Sequence, residues 1–159
     1  MKMINLDIMS VETGIICHQV NTLGLMGRGL AKEIKEKYPD VYAKYHFICK
    51  RFPNSEALYG NIIFVPVTDR LYVSNLFSQV GLIKADRIAP TDYGLLKQCL
   101  IKTIKKRNEI YETSNIMYEI YLPFKIGCGL AGGSWEEVLK IISEIEQEFS
   151  IEFIVCVKG

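Results

Sequence analysis

Apolar runs of strand length alternate with helical patterns along the whole chain, and this alternation limits the fold more than any other feature. MINLDIM (3–9) and GIICHQV (14–20) are predicted as strands joined by a polar turn. LAKEIKEKY (30–38) sets Leu30, Ile34 and Tyr38 on one helical face. Pro39 then marks a boundary, and DVYAKYHFICKRF (40–52) reads as a second helix ending before Pro53. NIIFVPV (61–67) and LYVSNLF (71–77) flank a short TDR turn as a hairpin. Pro66 puts its strand at an edge or ends it there. After a loop over 78–90 comes a helix with Thr91 as N-cap and Leu96, Cys99, Leu100 and Ile104 turned inward. NIMYEIYLPF (115–124) is the next predicted strand. Residues 135–149 form an amphipathic helix whose face carries Trp135, Val138, Leu139, Ile142, Ile145 and Phe149. Ser134 and Glu137 fit an S-x-x-E capping box at its start, and IEFIVCV (151–157) closes the pattern as a buried strand. The expected fold class is α/β, a single domain over residues 1–159 with a mixed six-stranded sheet and helices on both faces.

The composition excludes several function classes. A length of 159 residues, 49% hydrophobic, suits one sizeable core. A formal net charge of +1 gives no support for a long nucleic-acid footprint. The five cysteines are odd in number, widely spaced and free of any C-x-x-C pattern, so neither a zinc site nor a disulfide framework is expected. Buried free thiols in a reducing compartment are the simpler account. The N-terminal residues are too short and too polar for a signal peptide, and no apolar run approaches membrane-spanning length. The expectation is a cytoplasmic monomer with no cofactor, no metal and no membrane partner.

Two strand-to-helix junctions are rich in glycine. NTLGLMGRGLA (21–31) carries Gly24, Gly27 and Gly29; FKIGCGLAGGSW (124–135) carries Gly127, Gly129, Gly132 and Gly133. At such junctions unpaired amides and the positive end of a helix point outward, and glycine lets an anion approach the backbone. The second loop satisfies G-x-G-x-x-G literally. A dinucleotide fingerprint, however, belongs to the first strand–helix unit and expects an acidic residue about 20 positions later, where this chain has nearly ended. Two glycine walls flanking one crevice, with a diphosphate between them, is the better reading, provided that their strands are neighbours.

These loops, in this order and spacing, resemble those of the macro domain, the ADP-ribose-binding module, over almost the whole chain from Met3 to Val157. GIICHQVNTLGLMGRGLA is similar to the first ligand loop, and IGCGLAGGSW to the phosphate loop. NLFSQ followed by TDYGLLKQCL is similar to phage and bacterial members of the branch that contains terminal ADP-ribose protein glycohydrolase. The resemblance implies that Asp7 accepts a hydrogen bond from the adenine amino group and that Ile8 adds a backbone contact. It places Asn21 near the distal ribose, with His18 and Gln19 beside it; Asn21 and His18 are the candidate catalytic residues. Met26, Gly27, Arg28 and Gly29 would wrap the distal ribose and phosphates, and Ile126, Gly127, Cys128, Gly129, Leu130, Ala131, Gly132 and Gly133 would supply the diphosphate cradle.

The resemblance also marks departures. The glycohydrolase of this branch is understood to use a lysine after the hairpin strand and an aspartate just after GCGL. Here Gln79 stands at or near the lysine position and Ala131 follows GCGL; neither can do that chemistry. Lys84 and Ser134 lie close by in sequence. The implied function is ADP-ribose binding, with hydrolysis of derivatives such as ADP-ribose-1″-phosphate or O-acyl-ADP-ribose left open. The alternative is a regulatory domain for another adenine dinucleotide such as NAD.

Overall fold

The computed structural model describes residues 1–52, 55–81, 90–129 and 131–158. Among these residues six strands form one sheet: β1 (Lys2–Asn5), β2 (Gly14–Val20), β3 (Ile62–Pro66), β4 (Leu71–Phe77), β5 (Ile120–Pro123) and β6 (Ile154–Val157). Their spatial order is β1-β6-β5-β2-β4-β3. Every neighbouring pair is parallel except the β3–β4 hairpin, so the sheet is mixed. Pro66 ends β3, which is an edge strand where a missing amide costs no ladder bond.

Four α-helices cover the sheet: α1 (Gly29–Lys37), α2 (Pro39–Arg51), α3 (Tyr93–Ser114) and α4 (Trp135–Phe149). Alternation along β2 sorts them. Ile15 and Cys17 pack against Leu96, Cys99, Leu100 and Ile104 of α3 and Val138, Ile142 and Ile145 of α4. Ile16 points the other way, toward Ile34 of α1 and Val41 of α2. Each such fully buried aliphatic side chain contributes roughly 1.5–3 kcal/mol relative to exposure. The expected class, a mixed sheet with helices on both faces, is the observed one.

The boundaries differ where polar side chains compete with the backbone pattern. The first strand stops at Asn5, because Asp7 caps a single 3₁₀ turn, Ile8–Ser10, by accepting from the Met9 amide at 3.0 Å. The N-cap of α3 is Asp92, whose carboxylate accepts from the Leu95 amide at 2.9 Å; the hydroxyl of Thr91 is used elsewhere. That helix continues to Ser114 and ends at Asn115 in the left-handed conformation. Residues 115–119 therefore lie outside β5, and 151–153 outside β6. Ser134 does sit at the N-cap of α4, but its side chain makes no capping bond, and Glu137 pairs with Lys140 at 3.2 Å. The capping box is not formed. No helix among the described residues is long and apolar enough to cross a membrane.

Candidate functional site

Strands β2 and β5 are parallel neighbours, so the two glycine loops leave the sheet side by side at its carboxyl edge. Both line one cavity of about 720 Å³. Open α/β sheets take ligands at such an edge. Among the described residues the cavity wall carries three cationic side chains, Arg28, Lys35 and Lys125, and no carboxylate. A ligand entering it meets a positive field.

The first loop is shaped by its own asparagine and by α2. Asn21 Oδ1 accepts from the Leu23 amide and its Nδ2 donates to Leu25 O, each at 2.9 Å. The Tyr45 hydroxyl lies 2.8 Å from Asn21 Oδ1 and 2.7 Å from Asn21 O. Both polar ends of Asn21 are thus spent on the loop. The amide of this candidate catalytic residue is engaged within the protein. Met26 is buried under the loop, while Gly27, Arg28 and Gly29 stand exposed on the cavity wall. A Cβ added at Gly27 would meet nothing within 4 Å, so neighbouring atoms do not explain that glycine; Gly29 also has open space, but its φ of +57° already favours glycine.

The second loop is moored by side chains from three other segments. Gln19 donates to Thr91 Oγ1 and accepts from Ser78 Oγ, both at 2.8 Å, and Thr91 Oγ1 donates to Gly127 O at 2.7 Å. Gln19 thus lines the cavity with its amide engaged on Ser78 and Thr91. Gln79 is buried, lines the cavity and bridges to Thr91 across an isolated strand pair. Within the loop, the amides of Ile126, Cys128, Gly132 and Gly133 close internal turns. Those of Gly127, Gly129 and Ala131 find no partner among the described residues and belong to residues on the cavity wall. Ile126, Gly127, Gly129 and Ala131 of this loop line the cavity, whereas Cys128, Gly132 and Gly133 lie behind them in the loop. Cys128 packs against the α3–α4 core, its Sγ 3.3 Å from Ile126 O, and burial pushes its thiol up. Leu130 and Lys84 lie outside the described residues.

His18 reaches the wall from β2 with its nitrogens covered. Asn75 donates through Nδ2 to Ile63 O, which turns its Oδ1 toward His18 Nε2 at 2.5 Å. That bond assigns the proton to Nε2 and leaves Nδ1 a buried acceptor with no partner among the described residues. Burial pushes the imidazole down to about 4, against the opposing pull of the Asn75 bond. A ring so weakly basic and so enclosed holds β2 to β4; it does not present a base to the cavity.

Asp7 and Ile8 are not on this wall. They line an adjoining hollow of about 260 Å³ that shares Leu30, Pro123 and Phe124 with the main cavity. The Asp7 carboxyl lies below its usual range, chiefly because the Met9 amide donates to it, and Lys158 faces its other oxygen at 3.4 Å. The site is thus one crevice with an acidic hollow at one end and a cationic, amide-lined chamber beyond.

No family model matches the chain. Among curated proteins it is 26% identical, over 94% of its length, to a DNA ADP-ribosyl glycohydrolase of Mycobacterium tuberculosis, and it spans about 40% of that protein's length. It is 29% identical to an ADP-ribose 1″-phosphate phosphatase of Lodderomyces elongisporus, over 93% of this chain and 91% of the relative. Among solved structures, a macrodomain protein from Streptomyces coelicolor superposes with a TM-score of 0.77 at 24% identity, covering 99% of both chains.

The chain has the macrodomain fold.

With that fold in place, the residues that the sequence did not single out stand clear. Thr91 and Ser78 moor the second glycine loop, Tyr45 shapes the first loop, and Lys35 and Tyr42 complete the cavity wall. Each looked like an ordinary cap, turn or helix-face residue. Only the position of Thr91, beside the predicted start of α3, gave any signal. Trp135 packs as a partly buried core residue, edge-on to Phe124 at 5.3 Å between ring centres.

Proposed function

We propose that residues 1–159 act as a single macro domain whose crevice binds ADP-ribose. Asp7 would accept from the adenine amino group, and the unpaired amides of Gly127, Gly129 and Ala131 would take the diphosphate opposite Gly27, Arg28 and Gly29. The distal ribose would then rest near Met26 and Asn21. One observation carries this reading: two glycine loops from neighbouring parallel strands line one cavity whose described residues include three cations and no carboxylate. Charge-assisted bonds from amides and a guanidinium to a diphosphate are worth roughly twice neutral ones. Calorimetric titration tests the reading. Micromolar binding of ADP-ribose without binding of NAD is expected; NAD binding equal or tighter would replace it with a general adenine-dinucleotide domain.

A second reading, hydrolysis of ADP-ribose-1″-phosphate or an O-acyl ester, is favoured by the likeness to the phosphatase over 91% of that protein. The chain's own groups argue for binding ahead of turnover. Asn21 is engaged, His18 is covered, and Gln79 and Ala131 cannot replace a lysine and an aspartate. A panel of ADP-ribose-1″-phosphate, O-acetyl-ADP-ribose and ADP-ribosylated protein and DNA separates the two. The five free cysteines fit a reducing, cytoplasmic setting.

A further inference from the structure

We infer that Lys158 tunes the base preference of the hollow at Asp7: its ammonium competes with the exocyclic amino group of a purine for the Asp7 carboxylate, and Glu33 receives the ammonium that the base displaces. This inference rests on the ADP-ribose reading above.

The placement follows from strand register. Strands β1 and β6 are parallel neighbours with Asn5 opposite Val157, and the Leu6 amide donates to Val157 O at 3.1 Å. Asp7 and Lys158 therefore leave the carboxyl edge of the sheet side by side. Glu33 reaches the same hollow from α1, one turn beyond Leu30. Lys158 Nζ stands 3.4 Å from Asp7 Oδ2 and 3.4 Å from Glu33 Oε1, so one ammonium bridges two carboxylates on the wall of the hollow. Among the described residues neither carboxylate forms a salt bridge with any other cation.

The competition follows from how Asp7 is used. Its Oδ1 accepts from the Met9 amide at 3.0 Å, and its Oδ2 faces the ammonium. An amino group directed at Oδ2 meets an oxygen whose charge Lys158 already answers, and the two donors repel each other. Asp7 is not the partner that moves. The Ser10 amide and hydroxyl hold Asp7 O at 2.8 and 2.6 Å, and Lys37 donates to Met9 O in the same turn. Glu33 lies within the body of α1. Lys158 is exposed and carries its charge on a flexible four-carbon stem, so the ammonium yields. Glu33 keeps that charge paired as it leaves Asp7, which makes the displacement easy. Exposed pairs of this kind shift an equilibrium only a few-fold, the scale suited to tuning a preference rather than closing a site.

The experiment is a pair of calorimetric titrations, with ADP-ribose and with its analogue carrying unsubstituted purine in place of adenine. They are run on the wild-type protein, Lys158→Met and Glu33→Gln, each shown to be folded by thermal melting. Both ligands share the diphosphate and the two riboses, so the ratio of their affinities isolates the amino group. The preference for ADP-ribose is expected to rise about threefold in Lys158→Met, and to fall about threefold in Glu33→Gln, which leaves the ammonium no partner but Asp7. A merely structural tie between β6 and α1 would lower both melting temperatures and leave the ratio unmoved. A ratio unchanged in either variant, or shifted in the same direction in both, overturns the role of Lys158 while leaving the ADP-ribose reading intact. Failure of the wild type to bind ADP-ribose at all overturns both.

Discussion

The two glycine loops leave neighbouring strands and face one cavity, yet they are held in different ways. The loop after β2 is fastened mainly to one helix: Tyr45 grips Asn21, and His46 and Tyr42 lie over Gly24 O. The loop after β5 is fastened by a hydrogen-bond chain through Ser78, Gln19 and Thr91, and by turns of its own backbone. Each loop contains glycines of two kinds. At Gly24 a Cβ would come 3.0 Å from His46, and at Gly133 it would come 2.5 Å from the backbone oxygen of Gly127. At Gly27, Gly29, Gly129 and Gly132 it would meet nothing within 4 Å. The first kind keeps the loop's shape, as do Gly29 and Gly132 through positive φ (+57° and +74°); only Gly27 and Gly129 carry neither constraint and leave room for something outside the protein. A glycine-rich motif is thus two requirements written in one letter.

The sharpest way to break this distinction is Gly129→Glu. The added carboxylate has space in the fold but occupies and repels the diphosphate site. Loss of ADP-ribose affinity of more than about 100-fold is expected with an unchanged melting curve. Retained binding in the folded variant would sink the cradle assignment.

A pH series probes the strand that feeds the first loop. The His18 pKa is lowered to about 4, so the unfolded chain takes up the proton first as pH falls. Stability should therefore be full above about pH 6.5 and should drop by about 3 kcal/mol between there and pH 4. Urea unfolding at pH 7 and pH 4.5 measures this. A flat profile would mean that the imidazole is not enclosed.

Gly133→Ala should cost about 2 kcal/mol and lower the melting temperature by several degrees, whereas Gly27→Ala should leave stability within about 0.5 kcal/mol. Equal effects would erase the two kinds of glycine. Thr91→Val, which strips the partner from Gln19 and Gly127, should cost about 1–2 kcal/mol by urea unfolding and weaken ADP-ribose binding several-fold. A neutral result would show that the mooring chain adds nothing. The smallest effect is expected at Ser134, which makes no capping bond: Ser134→Ala should stay within about 0.5 kcal/mol, against about 1 kcal/mol for Asp92→Ala. The reverse order would restore the capping box.

Much of the fold was legible because periodicity reports burial directly. The faces of α3 and α4, the β3–β4 hairpin and the edge position marked by Pro66 were readable as patterns of 3.6 and 2. Caps were not. Thr91 and Asp92 are equally good N-cap residues by type, and the choice fell to Asp92 because Gln19, 72 residues away in sequence, claims the hydroxyl of Thr91. The candidate site was legible as loops and as a resemblance, not as a set of free groups. Nothing local says that Asn21 spends its amide on Leu23 and Leu25, or that alternate amides of the second loop turn inward.

By itself, then, the sequence determined the α/β class, the number of strands, and the presence of two bends poor in side chains. These follow from local preference and from which face of each element is apolar. Tertiary structure alone decided that β2 lies against β5, that the bends share a chamber, and that Lys35 rests on Tyr42 beside it. Strand order and side-chain pairing depend on contacts between residues far apart in the chain, and no local pattern carries that information.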